Sequence, residues 1–274
     1  MTRRAFYVEG FDGSEAEPVL EGPLAHQLGH VLRLAPGAAV ELRNGCGQAW
    51  AAEVLRCGKK SVTLRLGQPL AAILELPLDL TLALAYSRSD RMDLVLRQGV
   101  ELGIRRFVAF PSERSQYGLT GEREQRKLER WRKIAQQALC QCGRAMLPEI
   151  RCCDGLNRFL TALEGDWPPN ALNILALESG DRRSLKDLLG NQPLPAAIIA
   201  LVGCEGGWTE AEADQLRTGG FRAVTLGPRI LRLETAVTAL LSAVQLLWGD
   251  LGGSTAANPA NCALHPHDRS GTGS

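Results

Sequence analysis

The order of apolar and polar positions divides the chain into a β-rich first part and a longer α/β part. In residues 1–70, short apolar runs alternate with turn residues such as Asn44-Gly45 and Gly58-Lys59, a pattern typical of strands joined by hairpins. From Leu80 onward, apolar runs of strand length alternate with amphipathic segments, as in α/β domains. The predicted strands are 39–43, 50–56, 61–66, 80–85, 107–110, 149–152, 172–177, 197–202 and 223–226.

Three long helices are predicted in the α/β part, over residues 90–103, 122–142 and 234–248. In the first two, apolar side chains recur every three or four positions and so share one face. The third is apolar on more than one face, which indicates that a subunit contact covers part of it. The apolar face of the first helix contains Met92, Val95, Leu96, Gly99 and Val100.

These patterns predict three segments. Residues 1–72 form a small β domain and residues 73–249 a larger α/β domain, with a boundary in the stretch 68–77, which contains two prolines. Residues 250–274 are rich in Gly, Ser, Ala, Pro and Asn and have no periodicity, so we expect a disordered tail there.

The composition is that of a folded protein without a membrane or secretion signal. Hydrophobic residues make up 45% of the chain and charged residues 22%. No apolar run approaches the roughly 18 residues of a membrane span, and the N-terminus lacks an apolar signal segment. We therefore expect a cytoplasmic protein that contacts no membrane and whose eight cysteines are reduced thiols. The spacing of cysteine and histidine matches no zinc motif, so no metal site is expected.

Positive charge is concentrated in the middle of the chain, although the formal net charge is only +1. Residues 86–151 contain 14 basic and 8 acidic residues, and arginine is the most common of the basic ones. The guanidinium group binds phosphate oxygens in pairs and stacks on bases, so this segment is suited to structured RNA. A solvated helix surface with local ion pairs explains the same pattern equally well.

Two glycine-bearing loops that follow predicted strands are the candidates for a ligand site, because the common nucleotide-binding, hydrolase and zinc-protease motifs are absent. The first loop, 201–209, contains three glycines and leads into a helix that Thr209 and Glu212 are expected to cap. The second, 226–235, leads into the last helix. Ligands of open α/β sheets bind at the carboxyl ends of strands, where both loops lie, and a pair of tight turns is the alternative.

Longer stretches resemble one protein family. LVGCEGGWTEAE (201–212) and GFRAVTLGPRILRLETAVTALL (220–241) are similar to the paired C-terminal motifs of the RsmE family, bacterial 16S ribosomal RNA uridine N3-methyltransferases of the SPOUT superfamily. RSDRMDLVLRQGVELGIRRFVAFPSERSQYGL (88–119) and RAFYVE (4–9) extend the similarity to residues 3–249. The resemblance implies an N-terminal PUA-like β-barrel followed by an α/β domain with a trefoil knot. It also implies S-adenosylmethionine as methyl donor, 16S ribosomal RNA in the small ribosomal subunit as substrate, and a homodimer with each active site near the subunit interface.

The resemblance, the chemistry of methyl transfer and the concentration of arginine together give a set of expected site residues. We expect Arg229 or Arg232 to face the O2 or O4 edge of the uracil and so to favour its anion. Glu205 or Glu234 would accept the N3 proton or orient those arginines, although the helix dipole alone also favours a carboxylate at Glu234. The expected cofactor-binding residues are Leu177, Val202, Gly203, Gly206, Leu226, Gly227, Ile230, Leu231 and Leu233. The expected RNA-binding residues are Arg33, Arg88, Arg91, Arg114, Arg132 and Arg144.

The sequence departs from the family pattern at three places. Cys204 stands where the first loop usually has proline, Leu233 stands where the second has threonine, and Arg88-Ser89 replaces a usual Lys-Gly. The first two changes fall in the expected cofactor pocket and so bear on its affinity more than on the fold. Two other functions stay open. One is a ribose 2′-O-methyltransferase of the same fold, and the other is a non-catalytic RNA-binding protein of ribosome assembly, which the changes at Cys204 and Leu233 would permit.

Overall fold

Two β-sheets, one in each of the two parts of the chain, organise the protein. The computed structural model describes residues 4–70, 75, 78–116, 121–165, 168, 170–178, 182–190 and 193–251. The strands of the first sheet are β1 (Arg4–Tyr7), β2 (Val19–Glu21), β3 (Ala39–Arg43), β4 (Ala49–Cys57) and β5 (Ser61–Pro69). Their order is β1-β3-β4-β5-β2, and every pair is antiparallel except the parallel pair of β1 with β3.

The first sheet surrounds a small apolar core. Alternate residues of its strands, among them Leu42, Val54 and Leu64, point to one side and are fully buried, as the period of two in a strand requires. Helix α1 (Gly22–His26) and a π-helical turn (Gln27–Val31) cover this core, into which the turn inserts the fully buried Leu28.

The second sheet has seven strands, which run parallel throughout. They are β6 (Asp79–Ala85), β7 (Arg106–Phe110), β8 (Glu149–Cys152), β9 (Leu172–Ala176), β10 (Arg183–Ser184), β11 (Ala197–Val202) and β12 (Arg222–Thr225). Their order is β10-β12-β9-β11-β6-β7-β8. The central strands β6 and β11 consist almost wholly of buried residues, because helices cover both faces of a parallel sheet.

In the described part of the chain, six helices cover the second sheet. They are α2 (Ser89–Glu101), α3 (Glu122–Cys142), α4 (Leu156–Gly165), α5 (Leu185–Gly190), α6 (Glu210–Thr218) and α7 (Leu233–Trp248). Leu80, Leu82 and Leu84 of β6 belong to an apolar cluster with α2, α3 and α7. Ala83 and Ala85 of the same strand face a second cluster, which includes residues of α4 and α6. The sheet therefore lies between two helical layers.

The end of α3 joins the two parts of the chain. The buried Arg43 of β3 donates hydrogen bonds to the carbonyl oxygens of Gly143 and Arg144, the latter at 2.6 Å. Backbone hydrogen bonds from Gly47 to Ala145 and between Leu147 and Gly45 continue the contact. These bonds fix the first sheet against the α/β part.

The prediction that Arg144 contacts RNA is wrong. Only 7% of the residue is exposed, and its Nη2 lies 2.7 Å from the carboxylate of Glu75. Its Nη1 donates to the carbonyl oxygens of Val100 and Ile104 at 2.9 and 3.0 Å. These carbonyls lie at the C-terminal end of α2 and just beyond it, where oxygens lack a partner within the helix. Arg144 is a structural residue, since its donors are already used inside the protein.

The structure confirms the predicted α/β class and most predicted elements. Four predicted elements have the observed bounds: strands 39–43, 149–152 and 197–202 and helix 122–142. The other predicted elements differ from the observed ones by one to three residues at an end. The predicted boundary after residue 72 falls between the last strand of the first sheet and the first strand of the second, and it stays a prediction, as does the trefoil knot. Residues 252–274 of the predicted tail lie outside the described residues. No helix in the described ranges is long and apolar enough to cross a membrane.

Asp93 connects α2 to α3. Its carboxylate, 9% exposed, accepts hydrogen bonds from Lys127 at 3.0 Å, Arg130 at 2.7 Å and the indole of Trp131 at 3.1 Å. Burial raises the pKa of Asp93, but the hydrogen bonds from Arg130 and Lys127 outweigh burial and leave the pKa below its ordinary value. The stability that this shift contributes is therefore present above the ordinary pKa of about 4 and is lost as the pH falls through the lowered one.

We expect Asp93→Asn to lower the free energy of unfolding by about 3 kcal/mol, because it leaves the largely buried side chain of Lys127 without its counter-charge. Urea denaturation at neutral pH measures this. The control is Arg126→Ala, which removes an ion pair to Glu122 between two exposed side chains and should change stability by less than about 1 kcal/mol. Equal stability of the two variants would contradict the role of Asp93.

Candidate functional site

A pocket of about 320 Å³ lies at the carboxyl end of the seven-stranded sheet. β12, β9 and β11 are neighbours there, and the residues that follow each of these strands line the pocket. Parallel strands end at one edge of a sheet, so loops that are distant in sequence meet at that edge. All nine residues predicted to bind the cofactor line this single pocket: Leu177, Val202, Gly203, Gly206, Leu226, Gly227, Ile230, Leu231 and Leu233.

A capping box fixes the far end of the first loop. Thr209 Oγ1 accepts a hydrogen bond from the backbone N–H of Glu212 at 3.2 Å, and the Glu212 carboxylate accepts one from the N–H of Thr209 at 3.0 Å. The same carboxylate also accepts from the N–H of Glu113 at 2.8 Å. The predicted helix cap is confirmed, and it also binds the loop that follows β7.

The second loop presents two arginines to the pocket. Arg229 and Arg232 are exposed and line it, and Arg232 is the residue before the first turn of α7. Leu233, the first residue of α7, is 5% exposed and packs in the apolar cluster beneath. The loop therefore has an apolar anchor at its end and a cationic rim.

Arg91 of α2 joins the two candidate carboxylates at the pocket. Its Nε lies 3.3 Å from Glu205, and its Nη1 lies 3.3 Å from Glu234. Ser87 Oγ donates to the same oxygen of Glu205 at 2.6 Å. Arg91 and Glu205 line the pocket, whereas Glu234 adjoins it through Arg91. The expectation that these carboxylates orient Arg229 and Arg232 is not met, because both carboxylates pair with Arg91.

The remaining arginines predicted to bind RNA have accessible side chains. Arg33, Arg88 and Arg132 are exposed, and Arg88 lies 3.6 Å from Asp90. Arg114 is exposed as well, and its Nη1 donates to the carbonyl oxygen of Gly206 at 2.9 Å, so it forms part of the pocket rim.

Several further pocket residues were not predicted, among them Glu178, Arg182 and Trp208. Trp208 is 8% exposed, and within the described part of the chain its buried Nε1 has no hydrogen-bond partner. The ring lies over Gly203, where a Cβ would meet Nε1 at 2.9 Å. An aromatic residue between a glycine pair and a helix cap was the signal in the sequence. Only the folded structure shows that the ring of Trp208 turns back over the end of β11.

Comparison with known proteins identifies the family. Residues 74–245 match the family described as RNA methyltransferase domain, and residues 20–67 match the RNA methyltransferase PUA domain. A ribosomal RNA small subunit methyltransferase E of Synechocystis is 32% identical over 233 residues, which cover 85% of this chain and 74% of that protein. This chain belongs to the RsmE family of RNA methyltransferases. The predicted family, the PUA-like N-terminal part and the methyltransferase class are thereby confirmed.

Two solved structures of methyltransferases resemble this one closely. A ribosomal RNA small subunit methyltransferase E of Neisseria gonorrhoeae, bound to S-adenosylmethionine, is 32% identical with a TM-score of 0.79 and covers 91% of this chain and 100% of its own. A methyltransferase of Legionella pneumophila in complex with the same molecule is 29% identical with a TM-score of 0.81, and the match covers 89% and 98% of the two chains.

The two departures from the RsmE pattern are accommodated inside the protein. The thiol of Cys204 is buried 3.6 Å from Ser112 Oγ and 3.8 Å from the carbonyl oxygen of Gly207, so it holds the first loop from within. Leu233 packs in the core. Both residues also line the pocket.

The described cysteines are free thiols. Burial raises the pKa of Cys140 and of Cys152 to about 11, so both stay protonated and weakly reactive at neutral pH. Within the described residues, no group of side chains could hold a metal ion.

We expect Gly203→Ala to lower the free energy of unfolding by roughly 1–3 kcal/mol, because the added methyl group forces the buried ring of Trp208 out of its position. The matched control is Gly155→Ala, since a Cβ at Gly155 meets no atom within 4 Å. Urea denaturation of both variants measures the difference. If Gly203→Ala and the control have the same free energy of unfolding, the ring of Trp208 is not packed as described.

Proposed function

We propose that this RsmE-family protein transfers the methyl group of S-adenosylmethionine to N3 of a uridine in the 16S ribosomal RNA of the small ribosomal subunit, in the cytoplasm. The observation that carries the proposal is the convergence of all nine expected cofactor residues on one pocket. Support comes also from the relatives, which are named for methylation of small-subunit ribosomal RNA or are bound to S-adenosylmethionine.

The pocket fits this donor in size and chemistry. Its volume of about 320 Å³ lies in the range of small-molecule sites. Gly203, Gly206 and Gly227 leave backbone groups accessible for hydrogen bonds, and Trp208 offers a buried N–H without a partner among the described residues. Leu177, Val202 and Leu226 would cover the apolar faces of the adenosyl group.

The chemistry that the protein must supply concerns the acceptor. When bound, S-adenosylmethionine supplies a methyl group on a sulfonium, which is already electrophilic. Uridine N3 carries a proton whose pKa lies well above neutral, so the nitrogen must lose that proton to attack. Arg229 and Arg232 place two cationic groups on the rim, where they would bind the O2 or O4 edge of the uracil and stabilise its anion.

Glu205 is the better candidate for the proton acceptor. It lines the pocket and its side chain is 37% exposed, whereas Glu234 lies at the start of α7 and reaches the pocket through Arg91. Ser87 and Arg91 hold the Glu205 carboxylate in place. We assign Ser87, Arg91 and Glu234 positioning roles, because they act on the reacting groups through Glu205.

The RNA around the target nucleotide requires a larger contact surface. We propose that the PUA-like part and the exposed Arg33, Arg88, Arg114 and Arg132 bind its phosphates. The target base must leave any stack before its N3 can reach the methyl group.

We expect Arg229→Ala to slow single-turnover methyl transfer to small ribosomal subunits by roughly 100-fold, because one stabilising donor to the developing anion is lost. Arg229→Lys should restore part of the rate, since it keeps the charge without the planar fork. The measurement uses isotopically labelled S-adenosylmethionine at saturation. A wild-type rate for Arg229→Ala would exclude the assigned role.

We propose further that the protein is a homodimer that contacts its partner through α7. Leu246 and Leu247, near the end of this helix, are 60% and 50% exposed, and Ile230 in the second loop is 82% exposed. Exposed apolar groups of this size on neighbouring elements favour a subunit contact, and in such a dimer the partner would adjoin the pocket.

Sedimentation velocity of the wild type should therefore show a dimer, and Leu246→Glu with Leu247→Glu should produce a folded monomer. The control is Leu194→Glu, because Leu194 is also exposed, at 59%, but belongs to the segment before β11 and not to α7. A monomeric wild type would contradict the dimer, and a dimeric double variant would contradict the contact through α7.

A further inference from the structure

Four arginines line a second cleft, of about 490 Å³, at the β10 edge of the seven-stranded sheet. We call it the arginine cleft; its arginines are Arg182, Arg183, Arg217 and Arg222. The other described lining residues are Phe221 and Ala223, neither of which carries a charge. None of these arginines belongs to the basic segment 86–151.

The strand pairing holds two of the cationic groups side by side. Arg183 is the partner of Val224 in the parallel pair of β10 and β12, and Arg222 precedes Val224 by two residues. Side chains two apart in a strand share a face, so Arg183 and Arg222 lie on the same face of neighbouring strands. Both are exposed, and within the described part of the chain neither has an ion pair.

Among the described residues, no acidic side chain pairs with Arg183 or Arg222. Arg217 of α6 lies 2.6 Å from Asp214. Positive charges that a fold brings together repel one another. An anion that binds between them offsets this repulsion. Guanidinium groups bind phosphate oxygens through paired hydrogen bonds, so the ligand chemistry that fits is a phosphodiester.

The arginine cleft shares a lining residue and a strand with the proposed methyl-donor pocket. Arg182 lines both of them. β12 also joins them, because Arg222 and Ala223 line the cleft while Thr225 and the loop that follows line the pocket. A chain of nucleotides whose target base enters the pocket would bring its neighbouring phosphates within reach of the cleft.

We propose that the arginine cleft binds the phosphodiester backbone of the RNA strand next to the methylated nucleotide. This inference rests on the proposed function. The cleft would thus add a contact on the β10 edge to those made by the arginines of the basic segment, and it would position the target strand without reading its bases.

Equilibrium binding of labelled 16S ribosomal RNA at several KCl concentrations tests the proposal. For Arg183→Ala with Arg222→Ala we expect a Kd at least tenfold above that of the wild type. We also expect the slope of log K against log salt to fall by roughly 1.4, the value for two phosphate contacts on a single strand. Arg183→Lys with Arg222→Lys should keep most of the slope, because it keeps the charges.

The control is Arg158→Ala, which removes a positive charge at an exposed arginine of α4 that lies outside the cleft, the basic segment 86–151 and the PUA-like part; its effect is compared per charge removed. Wild-type Kd and slope in the cleft variant would overturn the proposal. An equal loss in the control would also overturn it, because diffuse charge would then explain the binding.

Two further readouts separate this inference from the proposed function. Calorimetric titration with S-adenosylmethionine should give the same affinity for the cleft variant and the wild type, and a loss of donor affinity would mean that the cleft serves the donor instead. Failure of the wild type to methylate small subunits would defeat the proposed function, whereas the RNA-binding comparison would still decide the role of the cleft.

Discussion

The common direction of the strands in the second sheet is the constraint on which the site depends. β12, β9 and β11 are neighbours and parallel, so the loops that follow them open at one edge. Each loop alone is a short glycine-bearing turn. Together they enclose a pocket into which Arg91 and Arg114, from the elements after β6 and β7, add their cationic groups. A change in strand order would separate these residues without altering any of the loops.

The rigidity of this edge comes from apolar burial on both faces of the sheet and from a few buried polar links. The core clusters hold β6 and β11 from both sides, and Asp93 ties α2, which presents Arg91, to α3. Arg43 and Arg144 fix the end of α3 to the first sheet and to Glu75. The proposed RNA-binding surfaces of the two parts are therefore held in a fixed relation to the pocket.

Strands and helices with a clear local apolar pattern are predicted correctly from the sequence. Features that depend on a contact with a residue distant in the sequence are not. Buried strands such as 197–202 are recognised because their apolar runs have strand length, whereas β1 was not predicted because it pairs with β3 from a distant part of the sequence. Arg144 looked like the other arginines of its segment, and only the position of Glu75, 69 residues earlier, shows that it is buried. The pocket residues were found through family resemblance. Trp208 was missed because its position over Gly203 is a property of the folded loop.

The claim that these loops form a methyl-donor pocket is tested most directly by calorimetric titration of the purified protein with S-adenosylmethionine and, separately, with its demethylated product. The account predicts saturable binding of both ligands, near one site per chain, with each ligand displacing the other. A folded protein that binds 16S ribosomal RNA but neither ligand would contradict the account and favour a non-catalytic role in ribosome assembly.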